Sequence, residues 1–178
     1  LLSLFGRILD VMVYDTLLTV ICVGLLVVAA THDLAARTIP NALPAALAGG
    51  GLLFHLGMGD LAAAQAATAA VSSVAAICWF RGWLGGGDVK LLGAAALAVP
   101  VAFVSTFLLD VGVAGGVLAL LYLLARPLVP TATAFRSASL AARAWRAECW
   151  RIRRGGPLPY GVAIAAAGVL TLLQGGPT

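Results

Sequence analysis

The sequence predicts an all-α fold, a polytopic bundle of about six transmembrane helices with an amphipathic helix at the cytoplasmic surface. Three observations lead there. Of 178 residues, 62% are hydrophobic and only 10% charged, with a mean hydropathy of +1.05. A soluble domain carries about 25% charged residues, so a water-facing surface cannot be built from this composition. The apolar residues also gather into runs near the roughly 20 that a helix needs to cross a bilayer, and the basic residues gather at the ends of those runs. The length suits one membrane-embedded domain over residues 1–178, with a basic cytoplasmic loop at 126–157.

Taken in order, the first expected span is Val13–Thr31, with Asp15 in its opening turn. The preceding LLSLFGRILD has no basic n-region and no small-residue cleavage site, so no cleavable signal peptide is expected. Ala42–Met58 follows the helix-breaking Ile39-Pro40-Asn41, and the Ala-rich Leu61–Phe80 is the third span. Val89–Leu109 is the fourth, with Lys90 able to snorkel at its start. Val111–Ala125 and Leu158–Leu173 complete six. Pro100 allows a second division, in which Val101–Ala125 is one helix and the count is five. That division puts Asp110 in mid-membrane, so six spans are preferred. Gly112 and Gly116 form a GxxxG spacing, read as helix packing alone.

Six spans sort the charges. One side holds Arg37, Arg81, Lys90, Arg126, Arg136, Arg143, Arg146, Arg151, Arg153 and Arg154; the other holds Arg7 with Asp10, Asp15, Asp60 and Asp110. The basic side faces the cytoplasm by the positive-inside rule, with both termini outside. Trp79, Trp83, Trp145 and Trp150 fall near that same boundary, as an aromatic belt does. Within Arg126–Gly156, Ala138, Ala142, Trp145, Cys149 and Ile152 recur at helical spacing, with most arginines off the stripe. This pattern suits a helix lying on anionic lipid, or else a docking site for a partner; the clustered positive charge points to lipid rather than nucleic acid. Cys22, Cys78 and Cys149 are far apart and suggest neither disulfide nor metal site, and no cofactor is expected. His55, alone in the second span, is a single ligand at best.

Two carboxylates mark the cytoplasmic boundary. Asp33 ends the first span in THDLAARTIPN, and Asp88 opens the fourth in LGGGDVKLLG. Each has an innocent explanation: Asp33 could pair with Arg37 at i,i+4, and Asp88 could cap its helix after a glycine turn. Together they say more. They lie on different helices, face one compartment, and each adjoins a helix-breaking element, Ile39-Pro40-Asn41 or Gly85-Gly86-Gly87. Broken backbone at the membrane can admit water and an extended peptide. Two carboxylates sharing a site do not both ionise, so one keeps a proton while the other activates water. Nearby, Lys90 can tune Asp88 or serve as an interfacial anchor, Asn41 can cap the second helix, and His32 adjoins Asp33.

The pattern Asp33-x5-Ile39-Pro40-Asn41, followed by Gly85-x-Gly87-Asp88-x-Lys90-Leu91-Leu92-Gly93, resembles the type IV prepilin peptidases, GxGD intramembrane aspartic peptidases, and more closely their short form associated with Tad/Flp-type pili. Pro157-Leu158-Pro159-Tyr160-Gly161 is similar to the start of that family's last helix. The resemblance implies an inner-membrane hydrolase that cuts the basic leader from Flp-type prepilins or pseudopilins, on the cytoplasmic side after a Gly, alongside the pilus assembly machinery. It implies that Asp33 and Asp88 are catalytic, that Gly85 and Gly87 shape the loop around Asp88, and that Lys90, Pro40 and Asn41 likewise bind substrate or shape the loops there. Long members carry an N-terminal cysteine-rich region linked to N-methylation; about a dozen residues precede the first span here, so peptidase activity without methyl transfer is expected. Two other readings stand beside this one. The first is the same machinery acting on archaeal preflagellin or pseudopilins. The second is a non-enzymatic small transporter or membrane scaffold, for which midplane charges and an internal repeat would be expected instead.

Overall fold

The computed structural model describes residues 2–129 and 140–175, with side chains described over 13–129 and 145–175. These residues form seven α-helices and no strand: α1 Leu2–Ala36, α2 Ala42–Met58, α3 Leu61–Phe80, α4 Gly86–Ala98, α5 Val104–Ala125, α6 Leu140–Arg154 and α7 Tyr160–Gln174. A short 3-10 turn, Val101–Phe103, precedes α5. Three stretches are long and apolar enough to cross a membrane: Val13–Ala36, Leu61–Phe80 and Val101–Ala125. The apolar helices Ala42–Met58 and Tyr160–Gln174 are shorter. The all-helical expectation holds, while three spans rather than about six are long and apolar enough by themselves to cross a membrane among the described residues.

The departure centres on Pro100. The expected spans Val89–Leu109 and Val111–Ala125 do not form as such. Instead α4 stops at Ala98 after 13 residues, Val99 is extended (φ −89°, ψ 139°), and a helical stretch begins past Pro100. Proline has no N–H to continue the ladder and drives its predecessor out of helical geometry. Asp110 consequently lies inside α5 rather than in a loop, where the Thr171 hydroxyl donates to its Oδ2 at 3.4 Å. α2 and α3 have the expected bounds. α1 is one continuous helix that begins well before Val13.

The bundle is two helix triplets set side by side. α4 packs on α2 and α3; α7 packs on α1 and α5; α1–α2 and α4–α7 contacts join the two groups. Small residues permit the close fits. Gly51 on α2 faces the Leu97–Ala98 backbone of α4 so closely that a Cβ would collide with it. Ser72 of α3 lies against Gly93, and Leu26 and Phe107 close over Gly168. Leu91 through Ala96 are all buried, so α4 is the most enclosed of the helices.

One end of the bundle collects the last turn of α1 and the first turns of α2, α4 and α7. At the other end His55 is fully buried, its Nδ1 2.6 Å from Asp60 Oδ1 and its Nε2 3.3 Å from the Val99 carbonyl. It ties the α2–α3 turn to the break after α4.

Candidate active site

Asp33 sits in the last turn of α1, buried to 5% exposure. Its position follows from the start of α7. The residue preceding that helix is Pro159, whose side chain offers no cap, so the first turn has unpaired N–H groups. The Asp33 carboxylate supplies the acceptor from another helix: Gly161 N–H donates to Oδ2 at 2.9 Å. The approach depends on glycine, because a Cβ at 161 would lie 2.9 Å from Asp33 Oδ2 and 3.0 Å from Ile39 Cδ1.

Asp88 is held in a related way. Gly85, not Asp88, occupies the N-cap position of α4, which corrects the capping explanation, and Asp88 falls three residues on, in the first turn. From there its carboxylate reaches back to the Gly85 N–H, half of the reciprocal arrangement known as a capping box. A Cβ at Gly85 would come within 2.8 Å of Asp88 Oδ2. Gly85, Gly86 and Gly87 all have ordinary backbone angles; the left-handed turn residue is Gly82 (φ 74°). The glycines next to Asp88 thus serve closeness, not a left-handed turn.

Asp88 lies in the field of Asp33. Asp88, at the start of α4 and outside the candidate spans, has its pKa pushed up to about 6, first by burial and next by the negative charge of Asp33. The Gly85 hydrogen bond and the Arg37 charge oppose this. Ile39 bridges the space between the two helix starts, lying against Gly87 on one side and Gly161 on the other. The arrangement can hold one proton between two carboxylates of unequal surroundings, the requirement for activating water without a metal.

Arg37 does not pair with Asp33, as the innocent explanation supposed. Its Nη2 donates to Glu148 Oε1 and, at 3.3 Å, to the Tyr122 hydroxyl. Tyr122 also donates to Glu148, and Arg151 Nη1 meets Glu148 Oε2 at 3.1 Å. Sequence reasoning missed Glu148 and Tyr122. The available signal was composition: Glu148 is the one acid in Arg126–Gly156, among seven arginines. Among the described side chains of α6, Glu148 and Cys149 are the buried ones, while Trp145, expected on the apolar stripe with Cys149, is exposed. Ala138 lies outside the described residues, and the side chain of Ala142 outside the described side chains.

The remaining expected residues lie on the rim. Lys90 is exposed and donates through Nζ to Asn41 Oδ1 at 2.9 Å, linking α4 to α2. Asn41 stands at the N-cap of α2 without making a side-chain cap, so its amide serves Lys90 instead. Pro40 is exposed beside it, and His32 is exposed next to Asp33. The cysteines are free, and among the described residues no three His, Cys, Asp or Glu side chains are grouped to hold a metal ion.

No curated protein and no solved structure matches the chain. The family model for the type IV leader peptidase family matches residues 20–120. That stretch is more than half of the chain, includes both acidic motifs and carries the apolar helices of a membrane protein. The chain belongs to the type IV leader peptidase family.

Proposed function

We propose that the protein is an aspartic endopeptidase of the cytoplasmic membrane whose catalytic pair is Asp33 and Asp88. The observation that carries this reading is the placement of two carboxylates on different helices at one end of the bundle, each fixed by a backbone N–H, with Asp88 in the field of Asp33. In the reaction the ionised carboxylate takes a proton from water as the water oxygen attacks the scissile carbonyl. The protonated partner donates to the carbonyl oxygen. Collapse of the tetrahedral intermediate breaks the C–N bond: the amine leaves with the proton held by the pair, and a hydroxyl of the intermediate gives its proton back to the pair as the new carboxyl C=O forms, so one shared proton remains.

The substrate is a type IV-like prepilin of the Flp kind, cut after a Gly that separates a basic leader from an apolar segment. Family membership and the motif around Asp88 support this. An apolar cavity of about 450 Å³ between α3 and α5, reaching Leu92 of α4 and Tyr160 beside Gly161, suits the apolar part of such a substrate. The basic asymmetry of the sequence supports a site at the cytoplasmic face and anionic lipid as the neighbour of α6. Conversion of prepilin to mature pilin in membranes tests the reading. Asp33→Asn and Asp88→Asn each abolish cleavage with normal insertion, and the double variant is no worse than either single. Asp15→Asn and Asp60→Asn cleave normally. Substantial cleavage by either of the first two variants rules out the aspartic mechanism.

A further inference from the structure

Arg37 is an unusual residue for its place. It follows the last residue of α1 and adopts the left-handed conformation, φ 56°, with its N–H bonded to the Asp33 carbonyl at 2.9 Å. Helices commonly end this way on glycine, which has no side chain to strain. Arginine there bears a backbone cost that glycine would avoid, and strain of this kind persists where a side chain is needed. The side chain is largely buried, at 13% exposure. Among the described residues Nη2 is bonded, while Nε and Nη1 are buried without a hydrogen-bond partner. A guanidinium is kept in this position by one strong contact, the buried carboxylate of Glu148.

We infer that Glu148 is a positioning residue for the acid pair: from α6 it fixes Arg37 beside Asp33 and Asp88 and balances the arginine's charge, so that docking of α6 sets the charge state of the site. The inference rests on the proposed roles of Asp33 and Asp88. The groups facing this region are Asp33 and Arg37 from α1, Asp88 from α4, Tyr122 from α5, Glu148 and Arg151 from α6, and Tyr160 from α7, with Cys78 of α3 behind Tyr160. Lys90 is turned to Asn41 on the rim. Arg37 acts on Asp88 directly, favouring its ionised form. With Glu148 in place that influence is offset. Without it the full positive charge bears on the pair and draws off the shared proton at lower pH.

A role in charge balance and a role in packing predict different results. Packing alone makes Arg37→Gln and Glu148→Gln lose activity alike, with an unchanged pH profile. Charge balance makes them differ in sign. The alkaline limb of kcat/KM for prepilin cleavage moves to lower pH in Glu148→Gln and to higher pH in Arg37→Gln, each by on the order of one pH unit. In Arg37→Gln/Glu148→Gln, where the two charges are removed together, the limb returns close to that of the parent. Arg37→Glu/Glu148→Arg keeps an ion pair for docking but puts the anion on the α1 side, so its limb lies higher. Thermal midpoints in detergent, read in parallel, correct each rate for folded protein. Limbs that move together, or not at all, overturn the inference. If a single variant does not fold, the charge-exchanged variant decides alone: a raised limb supports the inference and an unchanged limb overturns it. Asp33→Asn in the same assay separates the two questions, because activity there defeats the aspartic reading itself.

Discussion

Asp33 and Asp88 each take a backbone N–H from a glycine that has no room for a side chain, and this is the most sensitive feature of the site. Gly161→Ala puts a methyl group 2.9 Å from Asp33 Oδ2 and 3.1 Å from its Cβ, with the backbone of α7 behind it. Overpacking of this kind costs about 1–3 kcal/mol, and here the displaced group is one of the proposed catalytic pair. At least a tenfold fall in kcat/KM is expected, read by pilin processing at matched expression. Gly112→Ala, which meets nothing within 4 Å, leaves processing unchanged in the same assay. The charge on Asp33 also predicts the form of the pH profile. Asp88 has its pKa raised to about 6, so it holds its proton up to that pH and loses it above. As pH rises through about 6 the one-proton state of the pair is lost, and kcat/KM falls along a limb that belongs to the pair rather than to either acid. A profile flat from pH 5 to 8 contradicts this. At this scale the acids were legible because Asp33 and Asp88 sit in short motifs with helix breakers beside them. Glu148 was not, because its partner Arg37 is remote in sequence and charge on a basic helix reads as solvated surface.

Helix limits divide by how they are made. α2 and α3 were legible because polar or glycine-bearing turns bound them: Asn41, Gly59-Asp60 and Arg81-Gly82, of which Gly59 and Gly82 have φ of 75° and 74°. The end of α4 was misplaced because keeping Asp110 out of mid-membrane was given more weight than Pro100. A helix of 13 residues is only about 20 Å long, shorter than the hydrocarbon thickness, and a rule built on full-length spans passes over it. What closes this short helix off is the His55 clamp, which reads in sequence as a stray histidine. With both ring nitrogens bonded and the ring fully buried, His55→Ala removes two contacts and leaves a void. A loss of about 2–4 kcal/mol is expected, seen as a lower midpoint of thermal unfolding in detergent. Cleavage per folded molecule stays near normal, because the clamp is at the opposite end from Asp33. An inactive but fully folded His55→Ala protein refutes that separation.

For the molecule as a whole, charge predicts orientation. Arg37, Arg81, Lys90 and Arg126 belong to the end that holds the acid pair, and Asp15 and Asp60 to the other. In a cysteine-free background, Trp83→Cys is labelled from the cytoplasm and Asp60→Cys from outside by an impermeant maleimide. Labelling of position 60 from the cytoplasm alone reverses the orientation. The pairing of helices into triplets was not legible, since it depends on which glycines meet which backbones and not on any run of apolar residues. It carries a consequence for how the protein comes into being. Asp88 belongs to a triplet whose chain is complete by Ala98, whereas Asp33, made earlier, waits for Gly161 on α7 to be made. A nascent chain therefore holds both acids long before it holds them together. On the proposed roles of the two acids, the pair is therefore assembled only once α7 has been made and inserted.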